Sequence, residues 1–593
     1  MKKFFISFLG ALAGIWFSLF IAFIGLFVIL GMAIASTTTT KTVKIAKNSV
    51  LKVDLSGLIL DRPGTIDLRD ALYHGEKDQP QGVNQIVGAI VNSASDNRID
   101  GIVLECNGSI TGVALRQAIV EALQKFKQDA PEKWIYAYGD FYEQGDYYIA
   151  TAADSIFLNP VGGVQISGLA TQSMFYKNLL DKLDIEVQVL KVGTYKSAVE
   201  PFILDHMSEP AREQAQLFLD NMWGSITKQI AKSRGVTPET VNEWANGVSI
   251  ADPTDSFVDR HIVDATLYRH EFDDIIKDLT GKDKISDIAY VSPSEYCTDK
   301  DVNKVGNGKG AKIAVLYATG DITDNAGKGI VASKIIPEIF DLAEDDDIDG
   351  LILYVNSGGG SAFASEQIWE ALLQYKVTTG NPFYVSMADY AASGGYYISC
   401  GADRIFAQPT TLTGSIGIFG MIPNFQKLLS DKVGVNFDVV KTNTNGDFPS
   451  GIQPMTESQK VAMQRYIERG YDLFTRRCAD GRGMSQDSIK MIAEGRVWDG
   501  NEALKLGLID QIGGLDVAIA EMAKELNVET YTVAEYPALE IKWYDAIIEA
   551  SANVKADLVR SELGEYAELY ETIEYIKGMS PVQARMDFIK VSL

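Results

Sequence analysis

The stretch DYAASGGYYIS, residues 389–399, sets Ser393 behind the apolar run FYVSM and ahead of two glycines that have no side chain to shield it. A serine at such a helix start suits nucleophilic acyl transfer, which needs a base to take the hydroxyl proton. Histidine is the commonest base, but all four histidines, His74, His206, His261 and His270, lie in the first half of the chain. A lysine serves instead when burial disfavours its ammonium form. Lys196, in VGTYKSAVEPF, has apolar neighbours in Tyr195, Ala198, Val199, Pro201 and Phe202. Taken alone, YKSA reads first as a solvated surface lysine, and the repeat with the missing histidines shifts the reading toward a base.

Attack on an acyl carbon also creates an oxyanion, and backbone amides aimed at it supply much of the catalysis. Two segments offer them: the turn NSGGGS at 356–361, with Gly359 and Gly360, and Gly394 directly after the serine. Successive amides at a turn form an anion nest, which the helix starting near Ala362 reinforces. The same motif reads alone as a plain tight turn, and as a phosphate cradle it lacks the accompanying GxxxxGK[ST]. In TLTGSIGIFG, residues 411–420, Ser415 is placed to orient the lysine or, as readily, to satisfy its own turn.

The elements that must carry these residues occur twice. RIDGIVLECNG at 98–108 matches DIDGLILYVNS at 347–357, an offset of 249, and YAYGDFYEQGDYYIATAADSIFLNP from 136 matches the segment from 385 at the same offset. Each copy alternates short β-branched runs, such as GLILYV, with helical stretches such as ASEQIWEALLQY. That pattern predicts an α/β class with helices covering sheets. The copies differ where chemistry matters: Gln144 stands opposite Ser393, and Lys196 falls near Gly446. Each copy therefore keeps one group that the other has lost. The expected organisation is an anchor at 1–40, a first copy at 41–300 carrying the lysine, a polar linker at 301–312, a second copy at 313–544 carrying the serine, and a helical tail at 545–593.

The chain has 593 residues, enough for several domains, and 54 basic against 79 acidic residues. A net charge of -25 argues against nucleic acid as a partner. Cys106, Cys297, Cys400 and Cys478 are scattered without metal-ligand spacing, so no metal is expected; buried thiols are the simplest account, with a long-range disulfide open only in an oxidising compartment. Lys2 and Lys3 precede an apolar run of more than thirty residues that meets no charge before Lys41. That exceeds the about 7 to 15 residues of a signal-peptide core and suffices for a transmembrane helix with its N-terminus in the cytoplasm. A cleaved leader ending near Ala33-Ile-Ala35 is the alternative.

GTYKSAVEPF, NSGGGSAFASE, AASGGYYIS, TGSIG and GRVWDGNEALKLGLIDQIGG (495–514) together resemble the signal peptide peptidase A family, or protease IV, in its long, duplicated, membrane-anchored form. The resemblance implies a fold of two tandem copies of a Clp protease/crotonase-like domain and a cofactor-free serine peptidase that assembles as a homotetramer. It implies Ser393 as nucleophile, Lys196 as general base, Gly360 and Gly394 at the oxyanion hole, and Ser415 as the residue that contacts the lysine. It further implies hydrophobic signal-peptide remnants as substrates and a single-pass protein of the bacterial inner membrane, with its catalytic part on the periplasmic side. The family's usual proline before the paired glycines is replaced here by Gly358. Two other functions stay open at this level: a crotonase-like acyl-thioester enzyme, which would not need Ser393, and an inactive binding scaffold.

Overall fold

The computed structural model describes residues 44–64, 80–299, 310–325, 327, 329–538, 582–586 and 591–592, with eight positions between 10 and 25. Two sheets dominate. The first runs Gln81–Gly82, Ser49–Leu60, Ile99–Ile110, Trp134–Tyr142, Ser155–Val164 and Ala265–Thr266, with Ala289–Val291 also paired to Ser49–Leu60. All of its pairings are parallel. The second runs Val497–Asp499, Leu412–Gly414, Phe383–Ala392, Gly350–Ser357, Ala311–Thr319 and Tyr531–Tyr536, with Arg404–Ala407 and Gln511–Ile512 attached beside it. Parallel strands covered on both faces read as continuous apolar runs, and GLILYV within Gly350–Ser357 is buried at each of its six positions.

The helices repeat as the sequence does. Val83–Ser95 and Ala332–Glu344 have 13 residues each, Val113–Asp129 has its counterpart in Ala362–Thr379, and Glu209–Arg234 and Glu457–Arg482 have 26 each. Local chemistry sets the bounds of the longest pair. Ser208 and Thr456 cap them by accepting from the amides of Ala211 and Gln459, and Gly235 and Gly483 stop them in the left-handed region.

A third, six-stranded sheet ties the halves together: Ile330–Val331, Ile322–Thr323, Gly359–Ser361, Val582–Arg585, Phe419–Asn424 and Glu186–Lys191. The Glu186–Lys191 strand comes from the first copy. It lies antiparallel to Phe419–Asn424 of the second, from Lys191 opposite Phe419 to Glu186 opposite Asn424. The helical tail expected at 545–593 is corrected in this sheet: Val582–Arg585 is a strand, because its backbone completes ladders on both sides. The remainder of that tail lies largely outside the described residues, as do most of the anchor and linker. Among the described residues no helix is long and apolar enough to cross a membrane. The strand Ala311–Thr319 begins inside the span expected for the linker.

The copies also share a core, in which Tyr354, Tyr384 and Met522 of the second pack with Leu104, Ile119 and Tyr142 of the first. Two half-buried acids lie at this seam. Asp389 accepts from the amide of Ala114 at 2.8 Å, at the start of Val113–Asp129, and Asp61 accepts from Tyr354 Oη and Asn356 Nδ2, each at 2.8 Å. Burial, helped by repulsion from Asp61, pushes the Asp389 carboxyl up to about 7, and burial raises Asp61 as well.

A raised carboxyl means that the folded chain holds a proton the unfolded chain has released between about pH 4 and pH 7. Stability from Asp389 therefore falls as pH rises through that window and stays reduced above it. Asp389→Asn, which keeps an acceptor for the amide of Ala114, is expected to flatten that slope and to stabilise the protein by roughly 2–4 kcal/mol at pH 8. Urea unfolding of both proteins at pH 5 and pH 8 checks this, and an equal difference at the two pH values counts against it.

Candidate active site

Phe383–Ala392 ends at Ala392, and the chain turns at once into the helix Gly394–Ser399. The turn is made by Ser393, with φ 55° and ψ -111°. A non-glycine residue there carries strain on the order of 1–3 kcal/mol. It is held by the amide of Ser393 donating to the carbonyl of Gly414 at 2.7 Å and by the amide of Tyr397 donating to the carbonyl of Ser393 at 2.8 Å. The hydroxyl thus projects from a fixed backbone.

Lys196 lies five residues beyond the Glu186–Lys191 strand, so the cross-copy ribbon delivers it to this turn. Its Nζ is 2.7 Å from Ser393 Oγ, 3.0 Å from the carbonyl oxygen of Ser415 and 3.1 Å from Ser415 Oγ. Lys196, Ser393 and Ser415 are at most 1 % exposed. Backbone bonds knit the surrounding loops: Tyr195 N–H donates to the carbonyl of Glu494, Gly495 N–H to that of Ile416, and Ser415 N–H to that of Arg496. The three side chains named from sequence therefore meet within one chain, at the seam between copies.

The glycine loop divides its work. Gly359 and Gly360 have φ of 100° and 158°, and a methyl group on either would meet backbone oxygen at 2.1 Å. Only glycine fits both places. The amide of Gly359 donates to Ser357 Oγ at 3.1 Å, inside the loop. Of the expected donors, Gly360 and Gly394 remain as the pair for an oxyanion, with Gly394 on the first turn of a helix, where an amide has no intrahelical partner. Gly358, the departure from the family pattern, faces open space, so its missing proline disturbs no packing.

Two positions were missed in the sequence reading although both stand in stretches quoted there. A methyl on Gly495, whose φ is 80°, would sit 2.7 Å from Lys196 Cβ and 2.8 Å from its Cα and N. One on Gly417 would sit 3.3 Å from Lys196 Cδ. These glycines let the backbone approach the Lys196 stem closely. Among the described residues no cluster of His, Cys, Asp or Glu could hold a metal ion, and Cys106, Cys400 and Cys478 are buried thiols.

The first copy shows what became of the other site. Asp146, fully buried, accepts from the amides of Gly108 and Ser109 and pairs with Arg116 at 3.0 Å. Gln144, opposite Ser393 in the repeat, accepts from the amides of Ser167 and Gly168 at 2.7 and 2.8 Å.

The model of peptidase family S49 matches residues 127–266 and 376–529, two regions that begin at the repeat offset. The chain is 35 % identical to Protease 4 of Salmonella typhi over 507 residues, covering 82 % of this chain and 80 % of that one. It is 33 % identical to Protease 4 of Haemophilus influenzae, covering 88 % and 86 %. With the chloroplastic serine protease SPPA of Arabidopsis thaliana it shares 28 % identity, covering 92 % and 78 %. A ClpP1 mutant structure from Listeria monocytogenes superposes on 34 % of this chain and 91 % of that one, at 17 % identity and a TM-score of 0.23, below the level from which a shared fold follows.

Gly495→Ala is expected to disturb Lys196 directly, since the added methyl meets backbone atoms that cannot swing away. Peptidase turnover should fall at least tenfold for a loss of only a few degrees in Tm, because sub-ångström misplacement of a base is costly. Turnover kinetics paired with thermal unfolding decide it; parental kcat in the variant contradicts this role.

Proposed function

The chain belongs to peptidase family S49 and is a serine peptidase, and from that premise we propose that Ser393 is its nucleophile and Lys196 its general base. The observation that carries the assignment is the 2.7 Å contact between Lys196 Nζ and Ser393 Oγ. In this reading neutral Lys196 takes the hydroxyl proton as Oγ attacks the peptide carbonyl carbon. The amides of Gly360 and Gly394 hold the oxyanion, and the lysine passes its proton to the departing amine. Water then attacks the acyl-serine ester with Lys196 again as base, releasing the new carboxyl terminus and restoring the serine. Ser415 keeps the amine aimed through its hydroxyl and carbonyl. No cofactor enters.

Burial of the dyad supports the reading, because removal of water disfavours the ammonium form that could not act as base. The substrates proposed are hydrophobic peptides in extended conformation, such as signal-peptide remnants, bound by strand pairing in the manner of sheet augmentation. The apolar run at the N-terminus supports a single-pass anchor in the bacterial inner membrane, with the catalytic body on the periplasmic side; assembly as a homotetramer is proposed on the family resemblance alone. The crotonase-like alternative is separated from this reading by chemistry at the hydroxyl.

Ser393→Ala and Lys196→Ala should each lower kcat on casein by about 10³-fold or more while leaving Tm near the parent's. A serine-directed phosphonate should label the parent and spare Ser393→Ala. The ascending limb of the parental pH–rate profile should vanish in Lys196→Ala and move toward acid in Lys196→His, whose ordinary pKa is about 6.5. Parental turnover by Ser393→Ala, or an unmoved limb in both lysine variants, refutes the assignment.

A further inference from the structure

Away from the dyad, the seam between the copies holds a cavity of about 600 Å³, a size within the range of about 300–1,000 Å³ typical of small-molecule sites. The helices Val83–Ser95 and Val113–Asp129 of the first copy line it from one side. The strand Phe383–Ala392, the helix Leu515–Glu525 and the strand Tyr531–Tyr536 of the second line it from the other. Val87, Val91, Leu115 and Ile519 give it an apolar wall, and Lys196, Ser393 and Ser415 take no part in it.

Two polar atoms on this wall are left over by the fold. Ser386 Oγ and Gln408 Oε1 have no hydrogen-bond partner among the described residues, although Ser386 is fully buried and Gln408 is 2 % exposed. Buried polar groups are almost always paired, so both call for a physical reason. The strand itself does not demand the hydroxyl: one repeat earlier the first copy has Ala137, equally buried. Gln408 is held in place by its side-chain amide nitrogen, which donates to Glu121 at 2.9 Å, and by its backbone N–H, which donates to Thr411 Oγ1 at 2.9 Å. Its side-chain oxygen is thereby a fixed acceptor.

Charge on the wall is mostly negative. Asp61, Asp516 and Glu535 face one basic residue, Lys125, which pairs with Asp129 at 2.9 Å. Asp61 already accepts from Tyr354 and Asn356, and Glu535 from Asn84 at 2.7 Å. Asp516 stands beside the fixed glutamine: a methyl placed on Gly514 would lie 2.9 Å from Gln408 Nε2 and 3.2 Å from Asp516 Oδ1. Burial raises the Asp516 carboxyl, a cost that a cation bound beside it would offset.

We propose that this cavity binds a small organic amine, with its apolar body on the aliphatic wall, its ammonium group between Asp516 and Gln408 Oε1, and a second polar atom at Ser386 Oγ. An anion of the same size would meet the same wall with no donor for the glutamine oxygen and with repulsion from the acids. The site lies beyond peptide hydrolysis and stands whichever residue is the nucleophile.

Dansylcadaverine, a fluorescent primary amine on an alkyl chain, is the probe, and dansyl-aminocaproate, an anion with the same fluorophore, is its control. Titrated into the full-length protein, the amine should bind with blue-shifted emission and a Kd about tenfold or more below that of the anion. Gly88→Phe should fill the cavity, since Gly88 lines it and a methyl there meets nothing within 4 Å, and phenylalanine suits the helix better than glycine. This variant should weaken the amine about tenfold at parental Tm, and Asp516→Asn should weaken the amine but not the anion. A hydrophobic substrate peptide added to Ser393→Ala should not displace the amine. The proposal is overturned by an amine that fails to bind the parent, by preference for the anion, by displacement with the peptide, or by parental amine affinity in Gly88→Phe. Should Gly88→Phe fail to fold, parental amine affinity in Asp516→Asn refutes the site instead.

Discussion

A six-residue antiparallel ribbon decides whether Lys196 and Ser393 meet at all. Glu186–Lys191 and Phe419–Asn424 belong to different copies, and only their register brings Lys196, a few residues on, to Ser393. A slip of two residues would carry the lysine about 7 Å along the strand, and a slip of one would turn its side chains to the opposite face. Nothing in the lysine itself favours the place it occupies, since burying an amine costs solvation. Backbone ladders and the loop contacts at Glu494, Ile416 and Arg496 must therefore impose it.

Duplication supplied the scaffold, and divergence then settled each nest of amides differently. In the first copy Asp146 fills it, bonded to Gly108, Ser109 and Arg116 in a fully buried network. A charge so satisfied is costly to disturb, because removal of either partner strands the other in a dry interior. The second copy has Gly395 at the position matching Asp146, so no carboxylate competes there for the amides of the loop. In the first copy a buried carboxylate thus ties down the loop after the central strand, and in the second that loop is free of such a tie. The copies are therefore complementary: the first lacks the hydroxyl, and the second lacks the lysine.

Much of this was legible in the sequence because repetition doubles the signal. The helix pairs at 83 and 332 and at 113 and 362 begin one repeat apart, and the three polar side chains of the site stood in stretches that could be singled out by type and neighbours. What escaped notice is of a different kind. Gly495 and Gly417 act by lacking a side chain next to a lysine stem distant in sequence, and only the folded approach reveals the contact. Gly359 looked equivalent to Gly360 until the Ser357 hydroxyl claimed its amide. The tail is expected to be helical over 545–593, yet Val582–Arg585 is a strand in which apolar and polar residues alternate although Gln583, Ala584 and Arg585 are all buried. Four residues are too few to outweigh a longer neighbouring pattern.

Strain gives an argument for function that is independent of any resemblance, because the molecule contains its own control. At the turn after the central strand the second copy forces Ser393 to φ 55°, whereas Gln144 at the matching position of the first copy avoids positive φ. Two turns of common origin, each between a buried strand and a short helix, therefore differ in the residue's hydroxyl and in the backbone's strain together. Sterics alone would relax the second turn as they did the first. Its persistence where a hydroxyl meets a buried amine, and its absence where an amide side chain satisfies two backbone N–H groups instead, ties the strained geometry to the presentation of Oγ.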